Sequence, residues 1–197
     1  MKKQIAILFT ILSTNLCFGQ ILNLPIWYDF TYINHTVDSL LKVGTNEIVI
    51  FRTEKKIGSI MSEDSIIDCL IWKNNDSCFI RVLTQDKVFP VVGFVDNRIF
   101  NFKHKTNTFV TQDELIYKFV APLTNNNAVF YISPTQQGYY ELPDNHNQLP
   151  TRYVPNNRKK EKNRFDWYDL IYQTISGINL NVENFENYDR YQDFEIK

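Results

Sequence analysis

From Ile66 to Phe102 short apolar runs alternate with polar pairs and quartets. Ile66 to Trp72 is followed by Lys73-Asn74-Asn75-Asp76, Cys78 to Leu83 by Gln85-Asp86, and Val88 to Val95 by Asp96-Asn97, after which Ile99 to Phe102 closes the series. Runs of this length, rich in branched and aromatic residues and punctuated by Asn and Asp, suit consecutive antiparallel strands, because such turns tolerate left-handed backbone. The stretch predicts a β-meander. Upstream, Glu47 to Thr53 has the alternation of another strand, with Ile48, Ile50 and Arg52 on one face and Val49 and Phe51 on the other. Downstream, Ala128 to Ser133 predicts a strand, with Gln137 to Leu142 as its partner across Pro134 and Gly138.

Helical periodicity appears in three places. Val37, Leu40 and Leu41 predict a short helix over 36–43 that Gly44 terminates in a left-handed conformation. Thr111 and Glu114 form a capping box ahead of the stripe Leu115, Ile116, Phe119 and Val120, a helix over 112–120 that Pro122 stops. Trp167, Leu170, Ile171, Thr174 and Ile175 make the clearest amphipathic stripe, capped by Asp166 and ended by Gly177. Lys55 to Asp64 is expected as a loop or brief edge strand. Pro143 to Arg164 has no periodicity and reads as a long loop ending in a charge run. The predicted architecture is α+β: an antiparallel β-meander sheet of about five to seven strands with two or three helices packed on one face or end.

The ends of the chain add a leader and a tail. Lys2 and Lys3, the apolar Ile5 to Leu12 and the small Gly19 have the layout of a signal peptide, with cleavage expected after Gly19. The junction Phe18-Gly19-Gln20 resembles export signals of the Gram-negative envelope, which implies a periplasmic or extracellular destination. The bulky Leu16 beside Cys17 argues against lipid attachment there. Residues 20–177 are expected to form one domain, opening on an extended lead-in, and 178–197 a tail. The tail places an aromatic every third residue at Phe185, Tyr188, Tyr191 and Phe194, a spacing that sweeps around a helix and predicts irregular docking or a short helix. No segment after the leader is long and apolar enough for a membrane span.

Composition bounds what the chain does without naming it. With 44% hydrophobic and 15% aromatic residues, 197 residues suffice for a real core. The 21 basic residues, less Lys2 and Lys3 lost with the leader, leave 19 against 22 acidic, a net charge of −3. That balance gives no global attraction to nucleic acid or anionic membrane. His35, His104 and His146 lie far apart and at no metal-ligand spacing, and six scattered glycines make no phosphate-cradling loop, so no metal or cofactor is expected.

Three features carry what chemistry remains. Cys69 and Cys78 are the only cysteines after Cys17, and an oxidising compartment favours their pairing. A turn at Lys73-Asn74 would set them directly opposite, whereas one at Asn74-Asn75 would leave them diagonal and too far apart. Tyr139, Tyr140 and Tyr153, and the basic run that begins Arg158, Lys159, Lys160, are the candidate partner-binding residues. The competing readings are that the tyrosines pack the loop on the sheet and that the run is a solvated linker. With no nucleophile motif, the chain is expected to be an exported, non-catalytic binding or interaction protein with an envelope partner or ligand. The alternative is an exported hydrolase of glycans or peptides whose carboxylates, among them Asp113, Glu114, Asp144 and Asp166, converge only in the fold.

Overall fold

A computed structural model of the chain describes residues 31–60, 66–84, 86–109, 127–142, 158–180 and 183–187. In chain order these form α1 (Thr31–Lys42), β1 (Glu47–Thr53), β2 (Ile67–Asn74), β3 (Ser77–Leu83), β4 (Lys87–Val88), β5 (Val92–Phe94), a 3-10 turn (Lys105–Asn107), β6 (Asn127–Ile132), β7 (Gln137–Leu142), α2 (Arg158–Ser176) and β8 (Glu186–Asn187). The expected helix over 112–120, the leader, the lead-in over 20–30 and the far tail lie outside the described residues.

Among the described residues the strands make one antiparallel sheet in the order β7-β6-β1-β2-β3-β4-β8, with β5 also paired to β3. The meander therefore holds from β1 to β5. The β6–β7 hairpin then returns to the other side of β1, which leaves β1 central, with six of its seven residues buried.

Strand alternation gives the sheet two apolar faces. Val49, Phe51, Cys69, Ile71, Ile80, Val82, Val129 and Tyr140 point to one, where Trp167, Tyr168, Ile171 and Ile175 of α2 cover them. Ile48, Ile50, Leu70 and Phe130 are equally buried on the other. There Arg81 Nη1 donates to Tyr32 Oη of α1 at 2.7 Å, and Ile33 and Val37 of α1 are buried. The helices were expected together on one face or end, and the described pair instead meets opposite faces. The cause is that β1 and β2 are apolar on both sides, so each side needs a cover.

Local chemistry explains where the elements begin and stop. Gly44, at φ 86°, ends α1 as expected: its N–H bonds Leu41 O at 3.1 Å and that of Thr45 bonds Leu40 O at 3.0 Å. The run Val88 to Val95 is split by Pro90, which has no N–H to give a ladder. Ile99 to Phe102 is a turn and not a strand. Asp96 Oδ1 accepts the Arg98 N–H, and the N–H groups of Phe100 and Asn101 both return to Asn97 O, which coils the segment while Ile99 and Phe100 stay buried. In the 55–64 stretch, Ile57 and Ile60 bridge each other and enter the core.

The charge run at 158–164 forms the first turns of α2, so the helix starts eight residues before Asp166. Glu161 binds Arg164 at i+3 and Lys162 binds Asp166 at i+4, spacings at which side chains on a helix are neighbours. The solvated-linker reading fails there. The tail docks as strand β8 on β4 and not as a helix or irregular coil, over the two described residues Glu186 and Asn187.

Candidate functional site

A compact polar cluster sits at one end of the sheet, on the α2 face. Glu47 opens β1, Tyr131 comes from β6, and Lys105 from the 3-10 turn. Glu47 Oε1 accepts from Lys105 Nζ at 2.5 Å and from Tyr131 Oη at 2.6 Å. Lys105 Nζ also donates to Phe100 O at 2.6 Å and lies 4.7 Å from the centre of the Tyr131 ring. Burial, and then the bond to Glu47, push the Tyr131 phenol well above its ordinary pKa. With its proton held that firmly Tyr131 is a weak acid that supplies no phenolate near neutrality, and Lys105 is spent on a carboxylate and a carbonyl. The arrangement works as a clamp between the 3-10 turn and the sheet.

Cys78 lies one step along the same sheet end. Lys73 stands opposite Glu47 on one side and opposite Cys78 on the other. Burial raises the Cys78 pKa, outweighing the opposing field of Lys73, and burial followed by the Asp68 charge raises that of Cys69 much further. Neither is an activated thiolate.

Both thiols are free, and the expected Cys69–Cys78 disulfide is absent from the structure. The β2–β3 turn is Asn75-Asp76, with Asn75 at φ 53°, one residue beyond Asn74-Asn75 and two beyond Lys73-Asn74, the turns weighed from the sequence. Cys69 therefore pairs with Val82, four residues along β3 from Cys78. The two face the same side but lie about 13 Å apart along the strand, beyond the reach of a disulfide.

The proposed partner-binding residues do not assemble into one surface. Tyr140 is fully buried: its Oη donates to Arg164 O at 3.1 Å and its ring lies 5.9 Å from Trp167. Tyr139, the next residue along the strand, points to the opposite face and stacks on Phe130 at 5.6 Å. Tyr153 lies outside the described residues. Arg158, Lys159 and Lys160 fall in the first turn of α2, with Lys159 exposed and Lys160 buried. Arg164, also buried, donates to Thr108 O and to Glu161. The tyrosine reading thus resolves toward packing at Tyr140.

The other sequence candidates stay dispersed. His35 is on the exposed side of α1, His104 meets Phe102 edge-on at 6.3 Å, and His146 is outside the described residues. Asp166 is bonded to Lys162, and Asp113, Glu114 and Asp144 are outside the described residues. Among the described residues no three His, Cys, Asp or Glu side chains group as metal ligands, and no helix is long and apolar enough to cross a membrane.

Sequence reasoning missed one surface feature. Val91 is 42% exposed and Val95 89%, just outside the two ends of β5, with exposed Gly93 between them, whereas Val92 and Phe94 are half-buried against the α2-side core. Behind them Phe79 pairs with Gly93 and stacks on Trp72 at 5.6 Å. The signal was present in the run Val88 to Val95, which holds no polar residue for the outward positions of a strand. Comparisons with protein families, curated proteins and solved structures find no match to this chain.

Proposed function

We propose that this chain is an exported, non-catalytic binding protein of the cell envelope that docks a protein partner on the Val91-Gly93-Val95 strip. One observation carries the reading: a valine 89% exposed and a second 42% exposed stand at the two ends of the short strand β5, whose exposed glycine pairs with a half-buried aromatic. Single exposed apolar residues are ordinary, whereas three successive outward positions make a ridge that gains from being covered. The polar clusters support it from the other side, because Glu47, Lys105, Arg164 and Asp166 are matched within the fold. The leader supports export.

A photo-crosslinking residue in place of Val95, in the protein expressed with its leader, tests the reading. One dominant cross-linked envelope protein is expected, with a yield that falls severalfold when Val91→Asp is added. Equal labelling of many proteins, or a yield indifferent to Val91→Asp, refutes the docking strip. Mass spectrometry of the same exported product is expected to show Gln20 as its first residue, and an intact leader removes the basis for export.

A further inference from the structure

We propose that β4 is a strand-accepting edge that the chain fills with its own C-terminal strand, and that β8 of a second copy takes the same place when the resident strand lets go. The observation is a mismatch between what the edge needs and what holds its cover. Val88 and Phe89 are 3% and 5% exposed although they belong to the outer side of β3. Among the described residues the outward edge beside them is closed by a ladder of two pairs, Lys87 with Asn187 and Val88 with Glu186, in which both β8 residues are themselves exposed. Phe185 adds one anchor, with its ring 6.1 Å from that of Phe89 and 5.0 Å from Lys87 Nζ, yet remains 43% exposed.

Removal of this ladder leaves the outward backbone groups of β4 in water and strips Phe89 of its contact with Phe185, the condition under which an edge recruits another strand. The β5 half of the same edge has its own protection, being three residues long and bracketed by Pro90 and the Asp96–Arg98 ion pair. Recruitment is thus confined to the β4 half.

The occupant that fits is specified by the register already present, because a second copy brings the identical Phe185-Glu186-Asn187 segment. Nine residues, Gly177 to Phe185, tether β8 to α2. Extended, they span about 30 Å, comparable to the width of a small domain, so a strand released from one copy reaches the edge of a neighbour. This exchange does not depend on what docks at Val91 and Val95.

Two single-site variants of the full chain test the exchange. Lys87→Cys in one and Asn187→Cys in the other place a thiol on each side of a directly opposed pair, half-buried Lys87 and exposed Asn187, neither of which belongs to the hydrophobic core. Both substitutions in one chain are the control and are expected to form an intramolecular disulfide. The two variants mixed are expected to give a disulfide-linked heterodimer, identified by peptide mass, with a yield that rises severalfold on a tenfold increase in concentration. Phe185→Asp gives the test its direction. Added to the Lys87→Cys chain it frees the acceptor edge and should raise the yield severalfold, and added to the Asn187→Cys chain it cripples the donor and should lower it. A control that links while the mixture does not, or a yield indifferent to which chain carries Phe185→Asp, overturns the exchange. Failure of the control overturns the docking of β8 itself.

Discussion

A buried ion pair ties β1 to β2. Arg52 and Asp68 stand directly opposite on β1 and β2, joined by two hydrogen bonds of 2.7 and 2.8 Å, with side chains 7% and 0% exposed. Two desolvated charges are tolerated together and not singly. Asp68→Ala is therefore expected to cost about 3 to 5 kcal/mol in denaturant unfolding, and the paired replacement Arg52→Met with Asp68→Leu distinctly less. Equal losses for the two variants would show that the charges are not the issue. The face of Arg52 was legible from alternation in the sequence, but its opposition to Asp68 was not, because it depends on a register set at the far turn. The same turn decides the cysteines. With the ladder closed at Asn75-Asp76, alkylation of the unfolded, unreduced protein is expected to label both Cys69 and Cys78, and one bond per chain in place of two labels contradicts this register.

At the scale of elements, α2 is held by an aromatic cluster centred on Trp167. Its ring has no exposure, its Nε1–H donates to Ile99 O at 3.0 Å, and Phe102, Phe109, Tyr131 and Tyr140 lie 5.8 to 6.3 Å away. Phe109 in turn sits so close over the backbone of β7 that a Cβ at Gly138 would be 2.2 Å from its Cγ, which explains the glycine within the strand. Trp167→Ala is expected to cost about 3 to 5 kcal/mol in denaturant unfolding. A cost under about 1 kcal/mol would mean that the rings do not pack as a unit. The second half of this helix was legible because its apolar residues repeat at helical spacing. Its first half was not: Arg158 to Arg164 carries its order in ion pairs and in the buried stems of Lys160 and Arg164, and a search for apolar period is blind to both. The β4–β5 break was similarly hidden, since Pro90 announces an interruption but not which side of it finds a covering strand.

For the molecule as a whole, the consequence of covering both faces of one sheet is that phenols and thiols are buried as neutral groups. Burial, the leading cause in each case, raises the pKa of Tyr140, Tyr168, Tyr131 and Cys69 above their ordinary values. Their partners are those of the core. Tyr168 Oη shares hydrogen bonds with Thr53 at 2.6 Å and Asn127 at 2.7 Å, with Lys55 over its ring, and Tyr140 faces Arg164. A group whose folded pKa lies above its unfolded one holds its proton longer in the native state, so unfolding releases protons as pH rises. The contribution of these groups is complete below their unfolded pKa values, about 8.5 for Cys and 10 for Tyr, and is lost as pH climbs from there through the raised folded values. Stability is therefore expected to be level near neutrality and to fall steeply above about pH 10. In an alkaline titration followed by tyrosinate absorbance, the native protein should ionise fewer tyrosines than its 11 until it unfolds, and the remainder should then appear in one cooperative step. Ionisation of all 11 at the ordinary tyrosine pKa with the fold intact would mean that Tyr140 and Tyr168 are open to water and that α2 does not seal its face of the sheet.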